Sequence, residues 1–346
     1  MVSVAELRAR ISGLRVLMER DGVDHLFLTS AESLFYFSGF DSGRLLVSRM
    51  DAVLWVKDVY FQLNRGFYGR KGFPLKVRVF KKGDISRAVK ARKIRVLYTE
   101  DLAKSKFDAL RKSLGVKLKV TGIVSELRMV KSGYEVSCLK KACVQAVLGM
   151  DKAYDTLKPG VVEIDALAEI EAEIRRAGSL TSPFGGGLLL ASGVASANIH
   201  ARASGKKIHD SSVIVDLGGN FEGYFSDMTR TIPVGRIDGR LSGLMEFVEN
   251  VELSAVDLIR PGVPVVDVHD FVVGELKKKG FKMHHASGHG VGLEIHEAPY
   301  IGPGSKEVFT EGMVFTIEPG VYLPGKYGVR FEDTVLLKKK PKLLTR

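Results

Sequence analysis

At 346 residues the chain exceeds what one hydrophobic core usually supports, so two domains are expected. Its 45% hydrophobic and 27% charged residues are an ordinary globular mixture, and no apolar run is long enough to cross a bilayer. The formal charge of +12 falls in short clusters such as Lys81-Lys82, Lys277-Lys278-Lys279 and Lys338-Lys339-Lys340, without interleaved aromatics. That argues for a solvated basic surface and against a nucleic-acid or membrane partner.

The first 22 residues are charged and amphipathic, which predicts a helix ended by Asp21-Gly22 and not a signal peptide. Asp24 to Thr29 reads as a strand, followed by an aromatic, turn-terminated stretch from Ser33 to Phe40. Leu45 to Val47 and Ala52 to Val56 read as paired strands around a polar turn, and Val77 to Phe80 and Ile94 to Tyr98 add two more. No catalytic cluster falls here, and His25, beside a strand, is expected to be structural. From Ser125 the character changes. A long helix is predicted through Tyr154, stopped by Lys158-Pro159-Gly160, then another from Glu163 to Ala177 closed by Gly178. A second pair, Leu241 to Ile259 and Val266 to Lys279, is broken by Arg260-Pro261-Gly262 and stopped by Gly280. The repeated plan of helix, Pro-Gly break and helix suggests an internal duplication. The expected organisation is an α/β (α+β) fold, with a small α/β domain over 1–122 and a larger domain over 123–346. Cys138 and Cys143 are the only cysteines, and their spacing does not place them on one helix face. They build no disulfide framework, which fits a reducing, cytoplasmic setting.

Four acidic residues sit in strand-like, glycine-punctuated segments of the larger domain. Val213 to Leu217 is a buried-type strand carrying Asp216, and Tyr224 to Thr231 returns carrying Asp227. With turn residues Gly219-Asn220 and Glu222-Gly223 between them, a hairpin can bring both aspartates to the same end. A carboxylate in so apolar a strand is costly to bury unless paired or metal-bound. A turn-capping role or an Asp227–Arg230 ion pair could account for one aspartate but not both. Met313 to Glu318, followed by Pro319-Gly320, repeats the pattern, as does Val329 to Val335 around Glu332. Ser287-Gly288-His289-Gly290-Val291-Gly292 supplies an imidazole flanked by glycines, which allow close approach to a ligand or a neighbouring strand. Two Asp, two Glu and one His form an oxygen-rich set suited to Mn²⁺, Co²⁺ or Fe²⁺ more than to a thiolate-type zinc site. Such a set can hold two ions about 3.5–4 Å apart, acidify a bridging water and polarise a carbonyl. The implied chemistry is hydrolysis.

These residues, with Asp21-Gly22-Val23-Asp24, Phe35-Tyr36-Phe37-Ser38-Gly39-Phe40, Glu126 to Ser132 and Leu190-Ala191-Ser192-Gly193, make the chain resemble the Xaa-Pro peptidases, prolidase and aminopeptidase P, of the pita-bread metallopeptidases. The resemblance runs nearly the whole length. It implies a creatinase/prolidase-type N-terminal domain, a pita-bread catalytic domain and a homodimer. It further implies two divalent ions per chain, Mn or Co before Zn or Fe, and small peptide substrates with proline second. Asp216 would hold one ion, Asp227 and Glu332 would bridge, and His289 and Glu318 would complete the second site. Glu318 would also serve as general base toward the bridging water. The resemblance makes His200 and His296 substrate-binding and catalytic, and assigns His285 and Arg330 to orienting substrate or ligands. His284 and His209 match no position.

Two departures stand out. Ile199 occupies the place of a usual proline before His200, and Tyr300 with the residues after it lacks the arginine that dedicated dipeptidases often carry. The leading expectation is an Xaa-Pro dipeptidase, with aminopeptidase P activity on longer peptides as the alternative. A methionine aminopeptidase is disfavoured by the extra N-terminal domain, and a creatinase-like hydrolase by the metal set. A non-catalytic binding module would have lost ligands that are all present.

Overall fold

The computed structural model describes residues 2–182 and 187–346, and the chain divides into two compact units, Met1–Arg128 and Met129–Arg346. In the first, α1 (Val4–Arg20), β1 (His25–Leu28), α2 (Ala31–Ser38), β2 (Arg44–Ser48), β3 (Ala52–Val56) and α3 (Asp58–Tyr68) come first. They are followed by β4 (Lys76–Val79), α4 (Asp84–Ala91), β5 (Val96–Thr99), α5 (Lys104–Leu114), β6 (Lys117–Val120) and α6 (Ile123–Met129). One sheet of order β4-β3-β2-β1-β5-β6 results, with β1–β2 and β2–β3 antiparallel and β3–β4, β1–β5 and β5–β6 parallel. The aromatic stretch after β1 is helical because Ser30 caps its start and Gly39, at φ 80°, ends it. The Glu100 carboxylate ties that turn down, accepting from Thr29 N, Ser30 N and the Ser30 and Ser33 hydroxyls. His25 Nδ1 lies 3.0 Å from the hydroxyl of Ser48, its cross-strand neighbour, as expected of a structural residue.

The long helix predicted through Tyr154 is α7 (Gly133–Thr156), and part of the stretch leading into it forms the separate short helix α6. Val130 bridges to Met313, and Ser132 with Glu135 forms a capping box that starts α7 afresh. Then come α8 (Glu163–Arg176), β7 (Leu189–Ser192), β8 (Ser211–Leu217), β9 (Asn220–Phe221), β10 (Tyr224–Phe225) and β11 (Met228–Val234). The α7–α8 pair packs on the sheet β11-β8-β7 around Met150, Ile170, Val213, Val215 and Ile232. A Cβ on Gly149 would collide with Ile174, so glycine is what lets α7 and α8 approach.

The second half repeats this plan. Helices α9 (Gly239–Leu258) and α10 (Val265–Lys278) precede β12 (Gly288–Gly290), β13 (Glu297–Ile301), β14 (Val314–Ile317), β15 (Gly320–Leu323), β16 (Tyr327–Arg330), β17 (Asp333–Leu337) and β18 (Pro341–Leu343). Strands β13-β12-β14-β17-β18 form one sheet, β15-β16 a hairpin, and both helices pack on a core including Val248, Ala255, Val268, Val272, Phe315 and Val335. The two halves meet where Thr229 of β11 bridges to Glu332, between β16 and β17.

Candidate metal centre and active site

Each acid lies at or just beyond a strand end. In the β8–β11 ladder Asp216 faces Thr229, so Asp227, two residues before Thr229, falls at the same end as the hairpin spacing predicts. The returning segment is interrupted at Ser226-Asp227, between β10 and β11. Glu318 follows β14, and the stretch read as one strand around Glu332 is two, with Glu332 at the break. That break brings it to Thr229, with Glu332 N donating to Thr229 O at 3.1 Å and Thr229 Oγ1 to Glu332 Oε2 at 2.7 Å.

His289 sits in β12, opposite Tyr300, at a register shift in the β12–β13 ladder. Its Nδ1 donates to Gly290 O at 3.1 Å, which leaves the Nε2 lone pair facing the acids. Nε2 lies 3.5 Å from Glu318 Oε1, 3.7 Å from Asp227 Oδ2 and 4.0 Å from Glu332 Oε1. Ligand atoms of Asp227, His289 and Glu332 all fall within 4.8 Å of one another. The flanking glycines serve the neighbouring strands more than the site. A Cβ on Gly288 would strike Thr316 O, and one on Gly290 would strike Ala298 O.

Asp216 joins the group through Arg330. The guanidinium donates from Nη2 to Asp216 Oδ2 (2.6 Å), from Nε to Thr229 Oγ1 (3.2 Å) and from Nη1 to the Tyr322 hydroxyl (2.8 Å). The ion pair considered between Asp227 and Arg230 does not form. Arg230 turns away from the centre and pairs with Asp333 at 2.6 Å.

The histidines gather here too. His285 donates from Nδ1 to Ala286 O, lies 3.6 Å from Glu318 Oε2 through the same nitrogen, and takes the Tyr322 hydroxyl at Nε2 (2.9 Å). The His296 ring stands 4.3 Å from that of His289, at 71°. His200 is exposed, close enough to influence the charge on both His285 and His296, and the carbonyl before it accepts from Arg330 at 3.5 Å. Tyr300 is half exposed and lines a cavity of about 640 Å³ beside His284 and His285, walled by Phe281, Lys277 and Lys282. Thr229, Tyr322 and Thr334 are part of the site's frame, yet they carry no signal in the sequence beyond being polar residues in apolar strands.

The electrostatics are those of a site built for cations. Burial, then Glu332, Asp216 and Glu318, push Asp227 well above the usual carboxylate range. Burial followed by Glu332 does the same to Glu318, and burial with Asp216 takes Glu332 up to about 8. Burial, with His296 second, lowers His289 to about 3, and burial with Arg330 lowers His285 to about 4. Asp216 Oδ1, Asp227 Oδ1 and Glu332 Oε1 are buried and accept no hydrogen bond. Buried carboxylate oxygens are rarely left so, and divalent ions would satisfy all three. The donor set fits.

The family model of metallopeptidase family M24 matches residues 137–339, and that of the creatinase/prolidase N-terminal domain matches residues 10–130. The chain belongs to metallopeptidase family M24. The Xaa-Pro dipeptidase of Pyrococcus furiosus is 31% identical to it over 339 residues, spanning 96% of this chain and 95% of that one. The solved Xaa-Pro dipeptidase from Bacillus anthracis matches with a TM-score of 0.90 at 30% identity, covering 98% of each chain. The solved X-Pro aminopeptidase from Thermotoga maritima gives 0.84 at 26% identity, covering 97% of each. This M24 metallopeptidase thus has a creatinase-type N-terminal unit and a pita-bread second unit, as the sequence resemblance implies. Among the described residues no helix is long and apolar enough to cross a membrane. Both cysteines are free and buried.

Proposed function

We propose that this protein hydrolyses the peptide bond preceding proline in Xaa-Pro dipeptides, using two divalent ions, Mn²⁺ or Co²⁺, held by Asp216, Asp227, His289, Glu318 and Glu332. The observation that carries this reading is the gathering of ligand atoms of Asp227, His289 and Glu332 within 4.8 Å of one another, with one oxygen each of Asp216, Asp227 and Glu332 buried and unpartnered. It stands in a chain that aligns over nearly its full length with an Xaa-Pro dipeptidase. When bound, the ions would act as Lewis acids, polarising the scissile carbonyl and acidifying the attacking water.

The chain's own residues do the rest. Side-chain exposure is 16% for Glu318 against 9% for Asp216, 3% for Asp227 and 2% for Glu332. Glu318 is therefore the carboxylate open to a reacting water, and it takes that proton and returns it to the departing proline nitrogen. Burial holds His296 and His285 below the usual imidazole value, so both are neutral at pH 7. His296, beside His289, donates its N–H to the oxygen of the scissile carbonyl as charge develops there, and exposed His200 binds substrate near it. Arg330 fixes Asp216, and the His285 ring, held by Ala286 O and Tyr322, walls one side of Glu318 at 3.6 Å. Proline is accepted because none of these contacts needs an N–H on the residue after the scissile bond.

A second reading, release of the N-terminal residue from longer Xaa-Pro peptides, is favoured by half-exposed Tyr300 and the residues after it, where the resemblance leads one to expect an arginine in a dedicated dipeptidase. Xaa-Pro dipeptides and Xaa-Pro-Yaa tripeptides, compared with added Mn²⁺ or Co²⁺ and with chelator, separate the two. Cleavage of dipeptides alone supports the dipeptidase, cleavage of both supports the aminopeptidase, and no metal-dependent turnover of either overturns both. The protein acts as a cytoplasmic homodimer in this reading. Two cysteines that build no disulfide framework support the compartment, and an assembly role would give the N-terminal unit a purpose.

A further inference from the structure

Against the backbone of Asp227 and Glu332 lies a buried charge network that the catalytic reading leaves unused. Arg230 donates from Nη1 to Glu332 O at 2.6 Å and to Thr229 O at 2.9 Å, so its guanidinium clamps the backbone that carries Glu332. Its Nη2 is held by Asp333 Oδ1 at 2.6 Å, and Asp333 is completely buried. Two residues after β18 complete the surroundings of Asp333. Thr345 Oγ1 donates to Oδ1 and Arg346 Nε donates to Oδ2, each at 2.6 Å. The same Thr345 hydroxyl accepts from Thr334 N at 3.0 Å. Thr334 Oγ1 in turn donates to Asp227 O at 2.7 Å and accepts from Asp227 N at 3.2 Å. Arg346 also reaches α9, where Nη2 donates to Glu249 at 3.1 Å and to fully buried Glu252 at 3.0 Å.

We infer that Arg346, with Thr345, is a positioning element for the metal centre. It holds Asp333, and through Asp333 it sets Arg230 on Glu332 and Thr334 on Asp227. The physical need is plain. Asp227 and Glu332 are buried like charges that repel one another, and a metal ligand is useful only if its oxygen is held to within about 0.5 Å of its place. Hydrogen bonds to the backbone of both residues supply that restraint. Asp333 can anchor them only while it is itself neutralised. Without Arg346, two buried carboxyls, Asp333 and Glu252, would face Arg230 alone, and Asp333 would draw Arg230 off the Glu332 carbonyl. Arg346 touches neither ligand oxygens nor the space before them, so its effect is on aim and not on chemistry. The inference rests on the reading that Asp227 and Glu332 hold the ions.

The test is Mn²⁺ binding to metal-free full-length protein by titration calorimetry, with thermal unfolding of the same metal-free samples. Arg346→Ala and Arg346→Gln are expected to weaken Mn²⁺ binding about 10- to 100-fold, the range typical of outer partners of metal ligands. Arg346→Lys, which restores a cation to Asp333, is expected to recover most of that loss. Glu249→Gln, which removes only the solvent-exposed arm of the network, is expected to bind within about twofold of wild type. A merely structural Arg346 would lower the melting temperature while leaving Mn²⁺ affinity within twofold, and that result overturns the inference. If Arg346→Ala does not fold, Arg346→Gln and Arg346→Lys carry the same comparison. Wild-type protein that takes up no Mn²⁺ would overturn the ligand reading and this inference with it. Normal wild-type uptake with unchanged variants would overturn this inference alone.

Discussion

Replacing Glu318 by glutamine removes one ionisable oxygen and keeps the shape of the side chain. In the metal-free protein this carboxyl is pushed well above its usual range, by burial and by Glu332, so at neutral pH the change is close to neutral for neutral. The fold should survive, with metal-free thermal stability unchanged or slightly raised, because the Glu318 backbone N–H to Ser287 O bond of 2.9 Å is untouched. Turnover should not survive. A positioned general base contributes about 10²- to 10⁴-fold, or roughly 3 to 5.5 kcal/mol of barrier. No neighbour can substitute, since the other three carboxylates are less exposed. Steady-state cleavage of an Xaa-Pro dipeptide, at metal concentrations that saturate both wild type and variant, reads the effect on kcat apart from any weakening of metal binding. A kcat within tenfold of wild type at equal metal occupancy would refute the base assignment.

Three further outcomes follow from the same geometry. His289→Ala removes the imidazole whose Nε2 faces Asp227, Glu318 and Glu332, so metal uptake measured by calorimetry should fall at least tenfold, with activity lost in parallel; unchanged uptake would remove His289 from the ligand set. Tyr322→Phe deletes the hydroxyl that accepts from Arg330 and donates to His285, which should cost roughly 1–3 kcal/mol, read as an about 5- to 160-fold loss of kcat/KM with little change in the circular dichroism. A wild-type kcat/KM would show that His285 and Arg330 do not depend on it. The third concerns pH. Carboxyls raised in the fold bind more protons native than unfolded, so the stability they add is full below about 4.3 and is lost as pH rises through their folded values, about 8 for Glu332. The histidines lowered to about 3 and about 4 act in the opposite sense, but only below their ordinary 6.5. Between pH 6.5 and 8 the carboxyl effect stands alone, so urea unfolding of the metal-free protein should show stability falling as pH rises, and added Mn²⁺ should abolish the trend. A flat or rising profile without metal would count against the crowded-carboxylate description.

The pairing of Asp216 with Asp227 was readable from local sequence, because turn residues set the hairpin register and a two-residue strand period then carries both acids to one end. His289 was readable as a candidate from its chemistry, and the helix pairs from their periodicity and Pro-Gly stops. These are properties a segment owes to itself and its near neighbours. The tertiary structure decided how the chain runs between α6 and α7: the Ser132–Glu135 capping box marks the start of α7 locally, but the Val130 bridge to Met313, far along the chain, is not a local property. It also decided that Glu332 lies at a break between strands, and that Gly288 and Gly290 make room for adjacent strands. The partners of the buried charges were equally out of reach. Arg330 could have met any of several acids, and Arg230 meets Asp333 and not Asp227, across 103 residues. Which ion pairs form in a core depends on which elements the apolar faces bring together, and that is settled by burial summed over the whole domain, not by any window of sequence.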